Sequence, residues 1–593
     1  MSKRIKIETH SAAAIPQEYR ALLKPFFQTE VLALIACFAF LMCFNLLLGR
    51  NRKGILANAR FSGRQEKLNA IKAVLKQRQK KDLAKTAVFA GEPLDGWKPQ
   101  LKVWLTGKLP SLPLPSLNQH LIALGSTGCG KTTTVVNRVI QAAIRDGHPL
   151  IVFDPKGELA QINAPYAKAH DYEDYYLAPG KPYTDRFNIV EWMRGHKDST
   201  RAQQIAKTIQ ANAKTEGAGK TDDFFSGSGE ILLRSILMLT KGSDYPDLLM
   251  AKRILGLPDL CDRLQAAYKT DRLNLWIENS FQQFMTGKAS SKQIAGVAAT
   301  AGLIFDNFTQ EEFFNAFIGK STIPMNFTGK KILFVQPPID KKDIVMPVLT
   351  TAIEILVEEN MSLPRTQPLL LMLEEFPLGY WRKAEKWMTY DRSNGLAVFL
   401  IAQLWSQIRK RYGQDEALTI LANANTQIFF NSNDMETAKM LSERCGQKEV
   451  IFKQHSNSNG KSGHSHSSSE QRQKTSLKSP DELTKVEEAE FVMFNPDFKA
   501  RGEARVPLYM KYKMPQEILD RDENMKQVWT EYVYPERCQQ AATWHLDEKQ
   551  REAALIERRE AAEKLLPFED TSLSNDSDYG VLKRQREEFA SYV

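Results

Sequence analysis

The stretch HLIALGSTGCGKTTTVVNRVIQAAIRDG, running from His120 to Gly147, constrains this chain more than any other. An apolar strand-like run, HLIALG, leads into GSTGCGKT (Gly125 to Thr132), and a helix-like run follows. That order of strand, GxxxxGK[ST] loop and helix is the phosphate-binding loop of nucleotide-binding α/β proteins. Gly125, Gly128 and Gly130 let the backbone wrap a phosphate without Cβ obstruction, and the amides opening the next helix face the anion. Lys131 is placed to reach the β- and γ-phosphates, and the Thr132 hydroxyl to hold Mg²⁺, with Thr133 near the α-phosphate. Ser126, Thr127 and Cys129 complete the loop, Cys129 as a small loop residue rather than a nucleophile.

A phosphate loop alone does not separate a kinase, a GTPase and a motor. The run PLLLMLEEFPLGY supplies a second site: a buried-type strand stops at Glu374 and Glu375. In a hydrolysing site one carboxylate positions the metal and the next polarises the attacking water. We assign Glu374 to the metal, with Thr132, and Glu375 to the base. An acidic helix start would give the same pair. Glu374 lies 243 residues beyond Lys131, far more than a simple βαβ connection needs. Small GTPases have no room for such an excess and no guanine-reading NKxD motif is evident, so ATP is favoured. In DRSNGLAVFLIAQLWSQI a strand ends at Gln403, where an amide can sense the γ-phosphate. Arg392, just before that strand, could reach a neighbouring subunit's site as an arginine finger. Either could also be an ordinary surface polar residue.

The excess has its own character. Strand and helix patterns alternate through 116–194, turn helix-only over 195–322, and resume their strands over 323–510. This predicts an α/β fold, a RecA-like P-loop NTPase domain with an inserted all-α domain. Within the second part, 453–475 is polar and low in complexity and reads as a flexible loop. Residues 511–593 read as a charged C-terminal tail. Before the domain, 49–115 is a basic, then proline-rich connector with an amphipathic helical stretch. Val31 to Leu48 is an 18-residue run broken only by Asn45, which predicts a transmembrane helix over 28–48 after a short 1–27 segment, although a buried core helix is also possible. Lysines and arginines flank that run on both sides, so charge alone does not orient it. The net charge of +10 over 593 residues weakly favours anionic partners, and six scattered cysteines suggest neither a metal site nor a disulfide framework.

GSTGCGKTT, IVFDPKGELA, LLLMLEEFPLGY, RSNGLAVFLIAQLWSQIRKRYG and ILANANTQIFFNSNDMETAKMLSERCG occur in this order. Together they resemble the VirD4/TraG/TraD family of type IV secretion and conjugation coupling-protein ATPases, over about 115–510. FNIVEW (187 to 192) resembles the family's Asn-Pro-Leu region. The resemblance implies a hexameric motor that uses ATP and Mg²⁺ and is anchored in the bacterial inner membrane with its bulk in the cytoplasm. It implies a relaxase–single-stranded DNA complex, effector proteins, or both as cargo, delivered to the type IV secretion channel. By motif position, Gly125, Gly130, Lys131 and Thr132 form the nucleotide loop, Glu374 and Glu375 the Walker B pair, Gln403 the third motif and Arg392 the intersubunit arginine. Members usually carry Asp where Glu374 stands, and usually two membrane spans where one is visible here. Another hexameric DNA translocase, or a nucleotide-binding secretion adaptor with little turnover, are the alternatives.

Overall fold

The computed structural model describes residues 58–79, 87–94, 97–213, 223–270, 272–285, 305, 309–431, 433–460 and 463–568. The expected membrane helix at 28–48 lies outside the described residues, as do 1–27 and part of the 195–322 region. Among the described residues no helix is long and apolar enough to cross a membrane.

The chain divides into two units, Met1–Asn58 with Gln447–Thr475, and Ala59–Gly446 with Ser476–Val593. In the larger unit, β1 (Val88–Ala90) and β2 (Leu112–Leu114) form a small antiparallel pair within the expected connector. The remaining strands build one sheet. In chain order they are β3 (Leu121–Leu124), β4 (Leu150–Phe153), β5 (Glu173–Leu177), β6 (Lys331–Val335), β7 (Leu369–Leu373), β8 (Leu396–Ala402) and β9 (Thr426–Phe430). In the smaller unit β10 (Gln447–Gly460) pairs with β11 (Gly463–Ser476), and then β12 (Glu490–Phe494) and β13 (Leu508–Lys511) return to the large sheet.

The nine strands lie in the order β13-β12-β9-β3-β8-β7-β4-β6-β5. From β9 to β5 every neighbour is parallel, while β12 and β13 close one edge antiparallel. The sequence explains the parallel body. β4, β7 and β8 are apolar at every position and buried throughout, the pattern of strands covered on both faces. Alternate residues enter two separate cores: Ile151, Phe153, Leu371, Leu373, Val398 and Leu400 on one face, Leu150, Val152, Leu370, Met372, Phe399 and Ile401 on the other. Truncating one such leucine to alanine would cost about 2–5 kcal/mol.

Between Leu177 and Lys331 the described residues contain helices and no strand. The longest are Ser199–Ala213 and Asp223–Lys241. Their buried apolar residues, among them Ile205, Ile209, Leu233 and Ile236, belong to the same core as one face of the sheet. One side chain clasps the base of this region. Asn188 Nδ2 donates to the carbonyls of Pro246 (2.8 Å) and Gly319 (3.0 Å), and its backbone N–H donates to Ser321 Oγ at 2.9 Å.

Two expectations are corrected. The stretch 453–475 is not a flexible loop but most of a two-stranded ribbon, β10 with β11, each of 14 residues. Its sequence carries no apolar alternation, and where exposure is described at its base, Lys453 and Glu470 to Thr475 are exposed. A backbone ladder pairs the two strands, and ion pairs of Lys453 with Glu470 (3.7 Å) and Arg472 with Glu449 (3.4 Å) tie them across it.

Likewise 511–568 is more than the expected charged tail. Helices Gln516–Val528, Tyr534–Ala541 and Glu548–Leu565 pack against the body. Buried arginines fasten them: Asp522 receives Arg138, Arg537 pairs with Asp185, and Arg558 grips Asp247 through Nε (3.0 Å) and Nη2 (2.7 Å). Each arginine looks like surface charge until its distant aspartate is known.

Candidate nucleotide site

The phosphate loop leaves β3 between its neighbours β8 and β9. The Gly125 N–H donates to the carbonyl of Gln403 at 3.1 Å, and the Ser126 N–H to that of Asn431 at 2.7 Å. Gly128 and Gly130 have φ of 78° and 88°, the left-handed region glycine tolerates. A Cβ on Gly125 would meet Phe430 Cβ at 2.6 Å, so close packing excludes any side chain there. Thr127 and Gly128 form the exposed crest, and Cys129 is buried with its thiol pushed up by desolvation. Lys131 Nζ folds back over the loop, donating to the carbonyls of Gly125 and of Ser126, the latter at 2.9 Å. Burial lowers its pKa, so a phosphate placed there meets a poorly solvated cation.

Thr132 opens the following helix and directs Oγ1 to Glu374 Oε1 at 3.5 Å. Glu374 follows β7, whose register brings Leu373 opposite Phe153 of β4, and its N–H donates to the Phe153 carbonyl. Its carboxyl is 5% exposed and its Oε2 is buried with no hydrogen-bond partner among the described residues. Desolvation first, then Asp154, pushes its pKa up to about 8. Asp154 sits beside it, one residue past β4. It is fully buried, its pKa raised to about 6 by burial, and Oδ1 has no partner while Oδ2 accepts from Ala160 N (2.9 Å) and Gln336 Nε2 (3.3 Å).

These orphaned carboxylate oxygens beside a threonine hydroxyl fit a hard divalent cation, which takes oxygen donors and removes the cost of burying the charge.

Glu375 adopts φ 53°, a left-handed conformation that strains a non-glycine residue. That turn carries its carboxylate away from the strand line towards two partners. Gln403 Nε2 donates to its Oε1 at 2.8 Å, and Lys156 Nζ lies 3.8 Å from the same oxygen. The strand order accounts for this meeting: β8 lies between β3 and β7, so the residue after β8 stands between the phosphate loop and the carboxylates. Arg392 is exposed and precedes β8 at its opposite end, near His120, so the fold does not bring it to its own chain's site. Among the described residues no side-chain hydrogen bond joins Thr133 to the cluster.

Asp154, Lys156 and Gln336 were missed as site residues. The signal was present in IVFDPKGE, a second apolar strand ending at a carboxylate, which pairs directly with LLLMLE.

The family profile described as Type IV secretory system Conjugative DNA transfer matches residues 64–533. This chain belongs to that family. It is 26% identical over 396 residues to a probable conjugal transfer protein TraG of Sinorhizobium fredii, covering 64% of this chain and 60% of the relative. It is 23% identical over 374 residues to the type IV secretion system-coupling protein VirD4 of Bartonella henselae, covering 58% and 56%. The chain thus spans under two thirds of the length of these curated relatives. Its fold is similar to that of plasmid coupling protein TrwB in complex with ADP and Mg²⁺, with a TM-score of 0.52 and 17% identity over 69% of this chain and 89% of that one.

Proposed function

We propose that the protein is an ATP-hydrolysing coupling protein of a type IV secretion system. In this reading it delivers relaxase-bound single-stranded DNA, protein substrates or both to a membrane channel. The observation that carries the reading is the pairing of two contacts at the C-terminal ends of the central strands, Thr132 with Glu374 and Gln403 with Glu375, in a chain of this family.

The residues divide the work. Backbone amides of the loop and Lys131 bind the phosphates. Thr132 and Glu374 would hold Mg²⁺, with Asp154 behind them, and the ion would supply neutralisation of charge on the phosphoryl oxygens. Glu375 takes the proton of the attacking water, and Gln403 orients the Glu375 carboxylate and links it to the loop after β8. Arg392 acts in a neighbouring site, which requires a ring of subunits, and its exposure supports that role. The segment 28–48 anchors the chain in the bacterial inner membrane with its bulk in the cytoplasm. The all-α region at 195–322 is the domain that receives cargo.

A specific observation favours a second reading, a nucleotide-binding adaptor with little turnover. Glu375 Oε1 is already tied to Gln403 and faced by Lys156, so it must be released to act as a base. ATP turnover of the full chain, with and without single-stranded DNA, separates the two. A coupling motor turns over ATP and loses that activity in Glu375→Gln. An adaptor binds nucleotide with Lys131-dependent affinity while Glu375→Gln changes nothing.

A further inference from the structure

Helix Trp97–Thr106 is built inside out. Surface helices turn their apolar stripe to the core. Here Trp97 (68% exposed), Leu101 (41%), Trp104 (49%) and Leu105 (56%) face outward, and Val103 is the residue buried against the body. At about 100° per residue those four positions form one continuous stripe about 100° wide, on the side opposite Val103. Lys98 and Lys102 border the stripe and Lys108 follows the helix, all exposed, with no acidic residue between Trp97 and Lys108.

The helix packs on helix Arg64–Arg78, and Lys67 Nζ of that helix donates to the Gly107 carbonyl at 2.7 Å. Helix Arg64–Arg78 begins 16 residues after Leu48, the end of the apolar run, which limits the chain between them to about 55 Å. It adds Arg64, Lys72 and Lys76, while Lys67 is held on Gly107, Arg78 is paired with Asp146, and the helix's one acid is Glu66.

We propose that helix Trp97–Thr106 lies on the anionic face of the bilayer, with Trp97, Leu101, Trp104 and Leu105 set into the headgroup boundary and the lysines on lipid phosphates. Tryptophan and leucine on one face with lysine on the flanks is the composition of helices that rest in a membrane interface. The attraction to anionic headgroups supplies the charge complement to the basic pair of helices. The proposal rests on the reading of 28–48 as a membrane anchor, and it makes the base of the nucleotide domain a second, peripheral attachment.

Tryptophan fluorescence tests it directly, because no tryptophan precedes Trp97 and the anchor segment is silent. The full chain is reconstituted in vesicles of phosphatidylethanolamine and phosphatidylglycerol, with brominated acyl chains as quencher, and flotation is measured in parallel. We expect quenching in the wild type, its loss in Trp97→Phe/Trp104→Phe, and its retention in Trp276→Phe, an exposed tryptophan elsewhere. Quenching should weaken in phosphatidylcholine vesicles. A chain that floats without quenching, or quenching that survives the double variant, overturns the proposal and leaves the anchor standing. A chain that does not float overturns both. Protection of Trp97 and Trp104 by added oligothymidine or by self-association in detergent, without lipid quenching, overturns it in favour of nucleic acid or a second copy.

Discussion

Gln403 donates a 2.8 Å hydrogen bond to Glu375 although β7 and β8, whose ends they occupy, are joined by a 22-residue connection. The bond holds the carboxylate in its left-handed turn, facing Lys156. Glu375→Gln should keep nucleotide binding and lower ATP turnover about 10²–10⁴-fold, the range for a lost general base. Gln403→Ala should lower turnover by a smaller factor with little change in nucleotide affinity. Steady-state ATPase rates with a fluorescent-nucleotide titration check both, and an equal fall in affinity would contradict the assignment.

The buried acids set a pH dependence. Glu374 is raised to about 8 and Asp154 to about 6 in the folded chain, both by desolvation first. A carboxyl with a raised folded pKa keeps its proton where the unfolded chain has lost it. Stability therefore declines as pH rises from the unfolded value near 4–5 through the folded values. The melting temperature without Mg²⁺ should fall between pH 5 and pH 8, as stability is lost at roughly 1.4 kcal/mol per pH unit at most for each proton retained. Glu374→Gln should flatten the slope. Because Mg²⁺ displaces protons from this pair, Mg²⁺-nucleotide affinity should rise across the same interval in titration calorimetry.

The sheet and the phosphate loop were legible because their signals are local: apolar runs of strand length, glycines at left-handed positions, and two carboxylates after a buried strand. Gln403 was legible for the same reason, as the residue ending β8. What stayed hidden depends on pairing across the chain. Asp154 becomes a site residue only once β4 is known to neighbour β7, and Lys156 only once Glu375 turns left-handed towards it. Arg558 reads as solvated charge in a charged helix until Asp247, 311 residues earlier, receives it. The ribbon of β10 and β11 has a polar sequence with no apolar alternation to announce its strands.

Asn188, just before the helical region, holds Pro246 from its middle and Gly319 and Ser321 from its far end. Asn188→Ala removes two buried side-chain donors and leaves two carbonyls unpaired, at about 1–3 kcal/mol each in the worst case. Asn188→Asp cannot donate and should be no better. Hydrogen exchange should speed up in the helices between Leu177 and Lys331 more than in β3 and β7, while nucleotide affinity holds. Uniform loss of protection would mean that Asn188 serves the whole fold and not this junction.

Arg392 and Gln403 stand at opposite ends of β8, a seven-residue strand about 23 Å long. A side chain cannot bridge that distance, so the proposed role of Arg392 in hydrolysis requires a neighbouring subunit's site. Arg392→Ala and Lys131→Ala should each abolish turnover alone, the first by removing the donated arginine and the second by disabling phosphate binding. Mixed before assembly, they should recover turnover, because a Lys131→Ala subunit can lend its Arg392 to an Arg392→Ala neighbour with an intact loop. ATPase rates across a range of mixing ratios check this. Rates that never exceed the two variants measured separately would remove Arg392 from the catalytic set.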